Sequence, residues 1–170
     1  MNLKLKNIVM VIFVSQLFIQ SCINPFAPEL DENIESESSL ISDLKNIDGV
    51  FNNLQYAYTF KDTTIYGELL SPNFTFSYRN YETEVDEAWG RELEMRVTHG
   101  LFNNAERLDL IWNRIVAITA DSTNVTRSFN LTITFNPTDI EYVEGKVNLQ
   151  LEKSQENRWQ IITWIDESNF

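Results

Sequence analysis

From residue 125 to residue 135 the chain alternates with a period of two. Phe129, Leu131, Ile133 and Phe135 fall on one side, and Thr126, Ser128, Asn130, Thr132 and Thr134 on the other. Successive side chains of a strand point to opposite faces, so this segment demands a sheet with one buried and one wet face. The pattern repeats after the turn Asn136-Pro137-Thr138-Asp139. There Val143, Val147, Leu149 and Leu151 alternate with Glu144, Lys146, Asn148, Gln150 and Glu152. Two long strands joined by so short a turn can only be antiparallel neighbours. Leu108, Leu110 and Trp112 open a similar run that reaches Ile118 and ends at the turn Asp121-Ser122-Thr123-Asn124. The last run, residues 159–165, is apolar on both faces and reads as a central strand.

Helical spacing precedes the strands. Leu40, Leu44, Ile47, Phe51, Leu54 and Tyr58 step by four and three and predict one long helix over residues 38–60. Asp62-Thr63-Thr64 predicts a cap for a short second helix carrying Ile65, Tyr66, Leu69 and Leu70, stopped by Ser71-Pro72-Asn73. Residues 74–78 alternate as a short strand. A third helix is expected over residues 86–99, capped by Asp86, with Trp89, Leu93 and Val97 sharing a face, and closed by Gly100. Helices first and strands later imply an α+β domain.

The N-terminus carries a different signal. Lys4 and Lys6 precede an apolar run over residues 8–19, interrupted only by Ser15 and Gln16. That run is shorter than the ~20 residues a membrane-spanning helix needs, and the pattern is that of a secretory signal. Phe18-Ile19-Gln20-Ser21-Cys22 resembles a bacterial lipobox, with Ile19 and Ser21 at the matching positions. Cys22 is the single cysteine of the chain, so it has no intramolecular disulfide partner. The resemblance implies a signal peptide over residues 1–21 and acylation at Cys22. Ile23 stands where an inner-membrane retention signal would carry aspartate, so the implied location is the cell envelope, anchored by lipid in the outer membrane. Pro25, Pro28 and the acidic side chains Glu29, Asp31, Glu32, Glu35 and Glu37 make residues 22–37 an extended tether. One domain then occupies residues 38–170.

Charge and motif content exclude several functions. Thirteen Lys and Arg stand against 25 Asp and Glu, a net charge of −12, which disfavours nucleic acid as a partner. There is no Gly-rich phosphate loop, no G-x-S-x-G and no C-x-x-C, and a single histidine rules out a histidine-rich metal site. No cofactor is expected, and nothing in the pattern sets an oligomeric state.

The order helix, helix, short strand, helix, four long strands resembles the nuclear transport factor 2-like superfamily, which includes SnoaL-like and ketosteroid isomerase-like domains. Local pieces carry it. Leu54-Gln55-Tyr56-Ala57-Tyr58 leads to Lys61-Asp62, Tyr66, Leu69-Leu70 and Pro72-Asn73-Phe74, and Trp159-Gln160-Ile161-Ile162-Thr163-Trp164-Ile165-Asp166 looks like the closing strand. The resemblance implies a curved antiparallel sheet wrapped around the long N-terminal helix, enclosing a cone-shaped pocket. Tyr56, Tyr66, Trp89, Trp112 and Trp164 are the candidates to line it. In the resembling isomerases the base lies on the first strand, where this chain has Phe74-Thr75-Phe76-Ser77-Tyr78 and no acid. Asp166 and His99 are the remaining candidates for a catalytic base. The missing carboxylate favours a non-catalytic module for a small apolar ligand or a protein partner. The alternative is an isomerase- or dehydratase-like enzyme acting on a small hydrophobic substrate.

Overall fold

The computed structural model describes residues 41–81 and 83–168. Cys22 and the tether lie outside the described residues. Among the described residues no helix is long and apolar enough to cross a membrane. The elements in order are α1 (Ile47–Phe60), α2 (Thr63–Leu69), β1 (Leu70–Asn80), β2 (Val85–Gly90), α3 (Arg91–Asn104), β3 (Arg107–Ile118), β4 (Asn124–Asn136), β5 (Asp139–Lys153) and β6 (Trp159–Asp166). Six strands form one sheet in the order β2-β1-β6-β5-β4-β3. Every pairing is antiparallel except β1 with β6, which is parallel. The result is an α+β fold whose curved sheet packs around α1.

Helix α1 starts nine residues later than its apolar spacing predicts. The Asn46 side chain accepts from the Gly49 N–H at 2.7 Å and caps it. Before the cap, Leu44 takes a left-handed backbone (φ 61°), which turns residues 41–46 back along the helix. Asn53 clasps that segment: its Oδ1 accepts from Ser42 N at 2.7 Å, and its Nδ2 donates to Ser42 O at 2.9 Å. Leu44 is therefore in the core without being helical, and its carbonyl accepts from Trp159 N on β6. Val50, Phe51, Leu54 and Ala57 form the buried face of α1.

Asp62 caps α2 as its sequence predicts, accepting from Thr64 N and Ile65 N. Ser71-Pro72-Asn73 does not break the chain into a loop. It begins β1, where the parallel register with β6 slips between Leu70 and Thr75 and accommodates the missing N–H of Pro72.

The segment before α3 differs most from expectation. Residues 85–90 form an edge strand, β2, paired with β1 so that Phe76 faces Trp89 and Arg79 faces Asp86. Asp86 bonds Arg79 at 3.0 Å and is not a helix cap. Edge strands carry charge to resist further pairing, and for that reason Val85-Asp86-Glu87 has the polar look of a helix start while lying at the rim of the sheet. Helix α3 begins at Arg91 and continues through Gly100 to Asn104. Its buried residues are Glu94, Thr98 and Phe102, whereas Leu93 and Val97 are 39% and 49% exposed.

Strands β3, β4 and β5 run as the alternation predicts, with Leu108, Leu110, Val125, Phe129, Leu131, Ile133, Val143, Val147, Leu149 and Leu151 all buried. A register shift between Gln150 and Leu151 opposite β6 brings Ile161 and Trp164 into the core although they are three residues apart. Gly145 has a specific reason to be glycine: a Cβ there would lie 2.4 Å from Ser168 Cα, where the chain after β6 crosses β5.

Candidate functional site

A cavity of about 440 Å³ lies between the inner face of the sheet, α3 and Tyr58 of α1. Its walls have two kinds of character. From β3, β4 and β5 come Leu110, Trp112, Leu131, Ile133 and Val143, all apolar toward the space. The one polar atom of Trp112 is already used, donating to Phe51 O at 2.9 Å. From β1, β2, β6 and α3 come Phe76, Tyr78, Trp89, Trp164, Asp166 and Glu94. The strand order explains the division, because β2-β1-β6 and β5-β4-β3 are the two halves of one sheet.

Glu94 is the most deeply embedded acid among the described residues, at 5% exposure. Tyr66 OH donates to its Oε1 at 2.6 Å and Thr98 Oγ1 to the same oxygen at 3.1 Å. Trp89 Nε1 donates to Oε2 at 2.6 Å. Buried carboxylates persist only with such partners. Three donors from α2, α3 and β2 converge on one side chain, so Glu94 also fixes the edge hairpin to the helical layer. Burial raises the Tyr66 hydroxyl well above its usual range, with Tyr58 and Glu94 adding to the shift. It stays a donor.

Asp166 borders the same cavity from the end of β6. Burial pushes its carboxyl above the usual aspartate range. The Ser168 N–H, donating to Oδ1 at 2.9 Å, opposes that shift, while Glu94 and Glu167 reinforce it. Tyr58, on α1, completes the polar end. Its hydroxyl is raised by burial first, then by Glu94 and Asp166, and among the described residues it has no hydrogen-bond partner.

The sequence-derived candidates distribute unevenly. Tyr66, Trp89, Trp112, Trp164 and Asp166 all border the cavity, Trp89 from a strand and not from a helix. Tyr56 lies elsewhere, against Phe60 with ring centroids 4.5 Å apart. His99 does not close a helix C-terminus: α3 runs five residues past it, and the ring faces solvent, 2.8 Å from Asn103 Nδ2. It is absent from the cavity wall, so it is not available to act there. Glu94, Tyr58, Phe76 and Tyr78 join the site without a sequence signal that singles them out. Glu94 and Thr98 share a helical face with Phe102, a detectable spacing of four, but the competing apolar pair Leu93 and Val97 masks it. Among the described residues no group of three or more His, Cys, Asp or Glu is placed to hold a metal ion.

No known family profile matches the sequence, and no curated protein matches it. Solved structures do. A candidate scytalone dehydratase from Novosphingobium aromaticivorans superposes with a TM-score of 0.62 at 12% identity, covering 73% of this chain and 82% of that one. A candidate SnoaL-like polyketide cyclase from a Jannaschia species gives 0.55 at 16% identity, covering 75% and 89%. A nuclear transport factor 2-like protein of unknown function from Shewanella baltica gives 0.52 at 12% identity, covering 71% and 89%. The fold is nuclear transport factor 2-like.

Proposed function

We propose that the domain binds one small, largely apolar molecule in the cavity, with a polar group of that molecule held by Asp166 and the Tyr58 hydroxyl. The observation that carries this reading is the segregated wall. A space of about 440 Å³ lies within the range of small-molecule sites, which are mostly apolar with a few convergent polar groups. Asp166 has one hydrogen bond, from Ser168 N, and its remaining acceptor positions are open to an occupant's donor. Trp89, Trp112 and Trp164 on the wall make the test direct. Titration with the neutral fluorophore N-phenyl-1-naphthylamine should give saturable one-to-one binding and energy transfer from tryptophan. Val143→Phe, which fills the apolar end, should abolish it while leaving the circular dichroism spectrum unchanged. Non-saturable binding, or equal binding by the filled variant, overturns the reading.

A second reading is favoured by one pair of groups. A carboxylate with a raised pKa and a phenol donor facing one cavity form the pairing that proton transfer next to a carbonyl or hydroxyl requires. On that reading Asp166 moves the proton and Tyr58 stabilises the developing oxyanion. Two of the matched structures bear enzyme names, a dehydratase and a cyclase.

The N-terminal pattern supports a proposal of its own, that the mature chain begins at an acylated Cys22 and is held at the outer membrane. More than one acyl chain gives stable anchoring, at ~0.8 kcal/mol per buried methylene. Mass spectrometry of the mature N-terminus should find lipid on Cys22, and Cys22→Ser should release an unacylated protein. An intact Met1 would overturn the proposal.

A further inference from the structure

We infer that the cavity selects an organic ammonium compound: a cationic head lodged among Phe76, Tyr78, Trp89 and Asp166, with an apolar body reaching toward β3–β5. The inference rests on the binding reading above and names the class of ligand. Its first support is charge. Both carboxylic acids on the wall, Glu94 and Asp166, belong to the same half of it, and among the described residues no lysine, arginine or histidine lines the cavity. An anionic head would be buried against two carboxylates with no counter-charge, a costly arrangement in a site of low polarity. The chain as a whole, at −12, also draws cations toward the site.

The second support is the aromatic surface beside the acids. Phe76 and Trp89 stack at 4.6 Å between centroids, Tyr78 meets Trp89 edge-on at 5.6 Å, and Trp164 lies 6.2 Å from Phe76. Four rings from β1, β2 and β6 therefore stand in one cluster on the wall that also carries Asp166. Ring faces attract a cation within ~6 Å, and desolvated alkylammonium heads are the ligands that such clusters hold.

The third support is hydrogen-bond capacity. A carboxylate offers about four acceptor positions. Three of those on Glu94 are taken by Tyr66, Thr98 and Trp89. Asp166 has only the Ser168 N–H among the hydrogen bonds described. Asp166 is thus the acid free to pair with an ammonium N–H, while Glu94 adds negative potential and holds Trp89 in place.

Three probes with one phenyl body separate this inference from the reading beneath it: 4-phenylbutylamine, 4-phenylbutan-1-ol and 4-phenylbutyrate, each competed against N-phenyl-1-naphthylamine on the full chain. The amine should displace the fluorophore at a concentration about tenfold lower than the alcohol, or less, and the carboxylate should fail. Asp166→Asn should weaken the amine at least about fivefold more than it weakens the alcohol, and so remove the advantage of the amine. Phe76→Leu, which keeps the wall apolar but deletes a ring face, should weaken the amine more than the alcohol. If the fluorophore binds but amine and alcohol compete equally, the ammonium inference fails and the cavity reading stands. If neither the fluorophore nor any probe binds, both fail.

Discussion

The Tyr66 hydroxyl, carried by a seven-residue helix, donates to Glu94 Oε1 on α3 over 2.6 Å inside the protein. Trp89 Nε1 holds the other oxygen of the same carboxylate. One acid therefore joins α2, α3 and the edge strand β2, adding to the Arg91–Gly67 hydrogen bond between the two helices. Whatever the cavity binds, its shape depends on this junction.

Removing the acid should cost more than removing one donor. Glu94→Ala leaves the Trp89 N–H without an acceptor and opens a cavity, and a loss of about 3 kcal/mol is expected. Tyr66→Phe should cost about 1–2 kcal/mol. Glu94→Gln should fall between wild type and alanine, since the indole is a donor only and forces the amide oxygen toward Trp89. Both hydroxyls can then accept from the amide nitrogen. Urea unfolding of the three variants gives the ranking, and equal stability of wild type and Glu94→Ala would show that the junction contributes nothing.

Asp166 should make stability depend on pH in a defined direction. Its folded pKa is raised by burial above the ordinary aspartate value. A raised acid contributes stability that is fully present below its unfolded pKa and is lost as pH rises through its folded pKa. Asp166→Asn has no such loss. The variant should therefore gain on wild type as pH climbs from the ordinary aspartate range toward neutrality. Melting temperatures of both proteins across that window read the difference, and a constant offset would show that Asp166 titrates normally. Carboxyl NMR of wild type gives the same answer independently, through a titration midpoint above that of free aspartate.

How much of this is legible in the sequence differs by element, for physical reasons. Strands β4 and β5 can be read because one sheet face is wet, so alternation survives in the residue types. The Asp62 cap can be read because its hydrogen bonds are local. Strand β2 cannot: its six residues are held by pairing with β1, and its burial is almost nil. Apolar spacing puts the start of α1 too early because Leu44 is buried at helical spacing but in a left-handed turn. In the cavity, aromatic candidates are visible as residue types, yet Glu94 is not. A buried acid has the sequence appearance of an exposed one, and only the convergence of Tyr66, Thr98 and Trp89 distinguishes it.

The turn that displaces the start of α1 supplies its own test. Asn53 is 2% exposed and satisfies both the N–H and the carbonyl of Ser42. Asn53→Ala would strip both partners from that backbone, at a cost of about 2 kcal/mol. Because the same segment supports the Trp159 N–H through Leu44 O, amide exchange at Trp159 should accelerate in the variant. Unchanged exchange at Trp159 would mean that the clasp is confined to Ser42.

Gly145 connects packing to the chemistry of the site. An added Cβ would meet Ser168 Cα at 2.4 Å and Ser168 N at 3.0 Å, both backbone atoms that cannot swing aside like a side-chain tip. Gly145→Ala must push the chain after β6 away from β5, at an overpacking cost of about 1–3 kcal/mol. Ser168 N is the atom that donates to Asp166 Oδ1, and this bond favours the charged carboxylate. Displacing it removes a lowering influence, so the Asp166 titration should move further up in Gly145→Ala than in wild type. Gly145→Ser should do the same or more. Carboxyl NMR on the variant is decisive. A destabilised protein with an unmoved Asp166 titration would show that Gly145 serves packing alone, whereas a joint shift would make the crossing of β5 by the chain after β6 a determinant of the acid that faces the cavity.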